Sequence, residues 1–313
     1  MKNPFRTCWM RAAWLARVLR PASSGQRVNW RLAVLVVVPS AVWRWRRWAQ
    51  CLRLCGVSIT EGPGYYEFRV PTGDVLVHPV WQAQSKAMAL DEALVWHWLH
   101  VLVLDQYDAT RLVRPGSVVL DIGANTGAFS LLAARLVGSE GEVIAVEPVP
   151  ESLACISRMA QLNGVANIRT VQAAVGDQQG TALLHLSSIG TGMHSLAAEA
   201  GEGALPVRLV TVDSLVSALQ LARVDFIKID VEGWEPQVLR GMADTLRRFS
   251  PTLVVSAYHR PDHAELLPRL LQDAGYVTRV RRLAPGLELV CFAAPAESNL
   301  PDARGSQPVG HGG

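Results

Sequence analysis

Short, continuous apolar runs alternate along the chain with stretches whose apolar residues recur every three or four positions. Residues 118–120 run into Asp121, 143–146 into Glu147, and 168–173 into Ala174-Val-Gly-Asp177. Residues 225–229 run into Asp230, and 252–256 into Ala257-Tyr-His-Arg-Pro261. Runs this short and this apolar predict strands buried on both faces. Helical spacing follows the first of them (Phe129, Leu132, Leu136) and predicts helices at 128–137, 150–162, from 213, 235–248 and 262–274. Two closing strands, 276–280 and 287–292, lie near enough in sequence for a terminal antiparallel pair. The alternation predicts an α/β fold, an open and mostly parallel sheet with helices on both faces.

Other segments sort around this core. Residues 65–70 and 75–77 flank the turn 71–74 and predict a hairpin, and a helical stretch spans about 84–104. Pro115-Gly116 punctuates the start of the main domain. Strands at 181–186 and 206–212 flank a glycine-rich loop that includes Gly190, Gly192, Gly201 and Gly203. The organisation expected is a basic extension at 1–62, a hairpin and helix cap at 63–114, a ligand-binding domain at 115–295, and a disordered polar tail at 296–313.

The turn after the first strand carries the chemistry. Asp121-Ile-Gly-Ala-Asn-Thr-Gly127 places two glycines where the backbone must approach a ligand closely. A strand, a glycine turn and a helix N-terminus form a ligand site at the carboxyl edge of a parallel sheet. The spacing is not the dinucleotide Gly-x-Gly-x-x-Gly. A carboxylate leads into the loop, repelling phosphates and favouring a cationic or zwitterionic ligand. S-adenosylmethionine (SAM), with its sulfonium and amino-acid tail, meets that demand. Glu147, at the end of the second strand, suits the ribose hydroxyls of an adenosine. Asp177 lies on the same rim and suits an adenine amino group, although Gly176-Asp177 is by itself an ordinary turn.

A second cluster follows the strand 225–229. Lys228, Asp230, Glu232 and Glu235 crowd its carboxyl end. Like charges in such proximity raise one another's pKa, which is how a base is prepared. Helix capping explains Glu235 adequately, and Asp230 less well because it directly follows the apolar strand. His259 sits at the end of another strand, where an imidazole suits proton abstraction near neutrality. Asp230, Glu232 and His259 are the catalytic candidates, with Lys228 bracing the carboxylates. No metal is expected: His259 and His263 are four apart, but Pro261 breaks the helical geometry a ligand pair needs.

Composition sets the context. Residues 1–60 hold Lys2 and ten arginines with no Asp or Glu, so the formal net charge of +3 conceals a remainder at −8. Six of the ten tryptophans lie in the same arm. Such mixtures suit membrane interfaces, and a basic arm also suits nucleic acid. Its longest apolar run, 32–43, is broken by Pro39 and falls short of a span. An unstructured extension, or a start codon set too far upstream, is the simpler explanation of the arm. The five cysteines form no zinc pattern, and a cytoplasmic location is expected.

These motifs resemble the FkbM family of SAM-dependent methyltransferases. The resemblance rests on Val119-Leu-Asp-Ile-Gly-Ala-Asn-Thr-Gly127, Glu147-Pro148, Thr211-Val-Asp-Ser-Leu215, Ile227-Lys-Ile-Asp-Val-Glu-Gly-Trp-Glu235 and Val238-Leu-Arg-Gly241. It implies a seven-stranded Rossmann-like fold and O-methylation of small molecules or sugars. It also implies that Asp121, Gly123, Asn125 and Gly127 line the amino-acid end of SAM, Glu147 the ribose and Asp177 the adenine. Relatives often carry a glutamate where this chain reads Val255-Ser-Ala-Tyr-His259. A small-molecule or glycan acceptor, with possible membrane contact through the arm, is therefore expected. A nucleic-acid methyltransferase ranks lower, because Asp230-Val-Glu-Gly replaces the Asn/Asp-Pro-Pro-aromatic turn. A non-catalytic binding protein is disfavoured by the complete glycine loop.

Overall fold

The computed structural model describes residues 56–80, 89, 92–185, 196, 204–282 and 289–296. Nearly all of the basic arm, the glycine-rich loop and the polar tail lie outside the described residues. Among those described, no helix is long and apolar enough to cross a membrane.

Strands β1 (Ser58–Gly62), β2 (Tyr65–Arg69) and β3 (Val75–Pro79) form an antiparallel sheet. The predicted hairpin thus gains a strand on its N-terminal side, drawn from residues assigned to the extension. This sheet is tied to the main body by polar cross-links. Asn163 donates to Val75 O at 2.7 Å and accepts from Val75 N at 3.0 Å, and Arg158 pairs with Glu67 at 2.9 Å. A wide π-type helix α1 (Glu92–Val103) and a single turn α2 (Ala109–Leu112) lead into the main domain.

There the chain alternates as its apolar pattern requires: β4 (Val118–Ile122), α3 (Ala128–Val137), β5 (Glu142–Val146), α4 (Pro150–Leu162) and β6 (Ile168–Val171). The predicted strand 168–173 ends at Val171, within the main sheet. Just past its predicted end, β7 (Ala174–Val175) pairs instead with β9 (Ala204–Val210), which also pairs with β8 (Gly180–His185). Helix α5 (Val212–Ala218) opens with a reciprocal cap between Thr211 and Ser214, and β10 (Phe226–Ile229) follows.

The predicted helix 235–248 is two helices, α6 (Glu235–Arg240) and α7 (Ala243–Phe249). A Cβ on Gly241 would lie 2.0 Å from Gly176 O, so the break lets two backbone segments touch. Asp213 caps α7, accepting from Thr245 N at 2.7 Å and Asp244 N at 3.1 Å. Then come β11 (Thr252–Ser256), α8 (His263–Asp273), β12 (Tyr276–Arg282) and β13 (Leu289–Pro295).

The main sheet is seven-stranded, in the order β12-β13-β11-β10-β4-β5-β6. Strands β11, β10, β4, β5 and β6 are parallel neighbours, and β13 runs antiparallel to both β11 and β12. This is the expected open Rossmann-like sheet, with its terminal antiparallel pair. The order in which successive strands join the sheet reverses between β4 and β10, opening a crevice at their carboxyl ends. Leu120, Ile122, Ile227 and Ile229 pack into the larger core on one face, while Val119 and Phe226 join Phe129 and Ala133 of α3 on the other.

Candidate active site

Alternation along β4 decides what its end residues do. Ile122 points to the face that opens on the crevice, whereas Asp121 shares the face of Val119 and is fully buried beneath α3. Lys228 is its register partner on β10, on the same face. The two form an ion pair at 3.1 Å, and Ser130 of α3 donates to the other carboxylate oxygen at 2.5 Å. Lys228 also donates to Gly123 O at 2.8 Å and lies over the rings of Tyr107 and Phe129. Burial alone would lower the lysine's pKa, but Asp121 and Asp230 outweigh it and hold the ammonium charged. Asp121 is thus absent from the cleft wall; it anchors the lysine that pins the glycine loop.

The loop fits its glycines. Gly123 has a φ of 77°, and a Cβ there would fall 1.9 Å from Asp230 O. Gly127, with a φ of 89°, faces away from the crevice onto Met159 and Ile156 of α4. Asn125 also adopts a left-handed backbone. Its N–H donates to Glu147 Oε2 at 2.9 Å, while its buried Oδ1 has no hydrogen-bond partner among the described residues. Glu147 takes a second backbone N–H, from Val149, at 3.1 Å. Burial pushes its carboxyl up to about 7, against these two donors.

A cleft opens between these elements. Gly123, Asn125 and Glu147 line one part, Ala173, Val175 and Leu184 an apolar part, and Asp230, Glu232 and Trp234 a third. Asp177 is exposed and stands outside the cleft lining. The predicted residues brought together at the cleft are therefore Gly123, Asn125, Glu147, Asp230 and Glu232.

His259 lies directly behind the last two. Its Nδ1 is 2.7 Å from Glu235 Oε1, and its Nε2 is 3.3 Å from Glu232 Oε2 and 3.5 Å from Asp230 Oδ1. His263 also turns to Glu235, at 3.2 Å. Glu235 is fully buried and accepts from Val231 N and Gly233 N as well. Burial would raise this carboxyl, but the two histidines hold it down at about 2. Burial would likewise lower His259, yet the carboxylates of Glu232, Glu235 and Asp230 push it up to about 11. In this arrangement the imidazole is a cation at neutral pH and is poorly suited to receive a proton. Burial raises Glu232, against the pull of His259.

Three contributors escaped the sequence reading. Tyr107 donates to Asp230 Oδ2 at 2.9 Å and Tyr258 to Oδ1 at 3.3 Å. Trp234 lines the cleft, with a buried indole N–H lacking a hydrogen-bond partner among the described residues. Tyr258 could have been suspected as the neighbour of His259; nothing in the sequence marks Tyr107.

An adenosine with a charged amino-acid tail fits this wall. The cleft pairs an apolar strip with a ribose-competent carboxylate, a glycine turn and the side chain of Asn125, whose buried Oδ1 has no hydrogen-bond partner among the described residues. Comparison with known proteins finds methyltransferases among those it resembles. The hexuronic acid methyltransferase AglP of Haloferax volcanii is 23% identical over 183 residues, covering 57% of this chain and 72% of that protein. The 31-O-demethyl-FK506 methyltransferase FkbM of Streptomyces tacrolimicus is 30% identical over 162 residues, covering 42% of this chain and 62% of that protein. Among solved structures, methyltransferase FkbM from Methylobacillus flagellatus aligns with a TM-score of 0.42 at 17% identity, over 67% of this chain and 55% of that one. The family profile described as the methyltransferase FkbM domain matches residues 121–278. The chain belongs to that family and is a SAM-dependent methyltransferase.

Proposed function

We propose that the enzyme methylates an oxygen of a small molecule or sugar, as the sequence reading expected. The observation that carries this is that Asp230 and Glu232 line the same cleft as Asn125 and Glu147. When bound, SAM supplies an electrophilic methyl group. Gly123 and Asn125 receive its amino-acid end, Glu147 its ribose, and Ala173, Val175 and Leu184 its adenine, in place of Asp177. Asp230, steadied by the hydroxyls of Tyr107 and Tyr258, faces the acceptor and takes up the proton of its hydroxyl. A carboxylate-rich rim suits polyhydroxylated acceptors and repels a phosphate backbone, which disfavours nucleic acid. The hexuronic acid named for the Haloferax relative supports a sugar.

Asp230→Asn is expected to lower turnover about 100-fold or more, the scale of general-base catalysis, with the SAM Kd within threefold of wild type. Radiolabelled SAM, offered with hexuronic acid glycosides, other hydroxylated small molecules and RNA, checks both points. Wild-type turnover in this variant, or transfer to RNA alone, would overturn the reading.

Glu147 makes SAM affinity depend on pH. Ribose hydroxyls donate to the ionised carboxylate, so affinity should be full above about 7 and fall below it as the group protonates. Only about a tenth of the carboxylate stays ionised one unit below its pKa, so affinity at pH 6 should drop roughly tenfold. Glu147→Gln should bind weakly and lose this component of the dependence. A variant that keeps the wild-type pH profile in calorimetry would remove Glu147 from the site.

A further inference from the structure

Asp230, Glu232 and His259 each offer a ligand atom, and these atoms lie within 4.8 Å of one another. We propose that Asp230, Glu232 and His259 bind a divalent cation of the Mn²⁺/Mg²⁺ class, and that this cation holds the acceptor's oxygens at the cleft. The proposal rests on the methyltransferase reading and deepens it.

The histidine carries the argument. Its side chain is only 7% exposed, and Nε2 makes a directed hydrogen bond to neither carboxylate it faces. Those oxygens stand 3.5 Å and 3.3 Å away, close to the separation of about 3 Å between adjacent ligands of a cation bound at about 2.2 Å. The other ring nitrogen is fixed by Glu235, itself held by His263 and two backbone N–H groups. A carboxylate gripping one imidazole nitrogen while the other points at further ligands is the support that metal-binding histidines receive. The cation would take the place of the Nε2 proton, which leaves to solvent.

Two carboxylates and one imidazole form a mixed donor set that suits Mn²⁺ and tolerates Mg²⁺. Three protein ligands leave coordination positions for other groups, and Asp230 and Glu232 line the cleft. Adjacent hydroxyls, or a hydroxyl beside a carboxylate, would fill them. A bound cation would also acidify the hydroxyl it holds. The predicted absence of a metal considered only the spacing of His259 and His263, and both of these turn to Glu235.

The test uses the full chain, stripped with EDTA and titrated with manganese chloride while electron paramagnetic resonance reads free Mn²⁺. One Mn²⁺ per chain is expected, bound at least tenfold more weakly by His259→Ala and by Glu232→Gln. Glu235→Gln should weaken it 10- to 100-fold through loss of ring support. Should the histidine variant fail to fold, Glu232→Gln, a change on a partly exposed side chain, still decides the matter. No Mn²⁺ binding by wild type, or equal binding by Glu232→Gln, overturns the site. Undiminished methyl transfer in EDTA overturns the acceptor-holding role and leaves the methyltransferase reading standing. Tight Mn²⁺ binding that these variants lose, without transfer to any hydroxyl, supports the site and sinks the O-methylation reading.

Discussion

Asp121→Ala is expected to destabilise the fold by about 3–5 kcal/mol, the scale for removing one partner of a buried ion pair. Asp121 is fully buried and Lys228 nearly so, which leaves little water to replace the lost carboxylate. Any loss of SAM affinity would come indirectly, because Lys228 would release the carbonyl of Gly123. The double variant Asp121→Ala/Lys228→Met should recover most of the stability, since an apolar pair of suitable volume avoids the stranded charge. Urea denaturation of the three proteins settles this. A single variant within about 1 kcal/mol of wild type would mean that water reaches Lys228 and that the pair is not the anchor described above.

Gly123→Ala should combine a stability loss with failure of the cofactor site. The left-handed backbone costs a non-glycine residue about 1–2 kcal/mol, and forced repacking adds about 1–3 kcal/mol. The obstacle is the backbone carbonyl of Asp230, which has no rotamer by which to move aside. Displacing it shifts Asp230 itself, so SAM affinity should fall at least tenfold and turnover further. Gly116→Ala isolates the conformational part: its φ is 76°, beside the 77° of Gly123, and nothing lies within 4 Å of an added Cβ. Equal melting losses in the two variants, with SAM binding retained at Gly123→Ala, would show that the loop is more pliant than its contacts imply.

The central strands were legible because β4, β5, β10 and β11 are covered on both faces and so read as unbroken apolar runs. The glycine loop was legible for a related reason, since few residues other than glycine tolerate its backbone angles. Other features depended on distant partners. The strand 168–173 stops at Val171, and β7 just beyond it pairs with β9, some thirty residues on; no local pattern announces that exchange. The helix 235–248 breaks because Gly241 meets Gly176. Strand periodicity would have turned Asp121 inward with Val119, had it been applied to the motif's first residue. Glu235 fitted a helix-dipole role and does cap its own loop. Its grip on two histidines 24 and 28 residues away was visible only in three dimensions.

The position of β13 bears on how the protein is made. It is the last of the described strands to leave the ribosome, yet it lies inside the sheet, between β11 and β12. Leu253, Val254 and Val255 of β11 pair with Ala293, Phe292 and Cys291. Until those residues emerge, β11 presents an open apolar edge of the kind that recruits foreign strands. At roughly 5–20 residues per second, that exposure lasts on the order of seconds in every round of synthesis. Completion of the sheet therefore waits on β13, which seals the edge of β11 only after every other described strand has been translated.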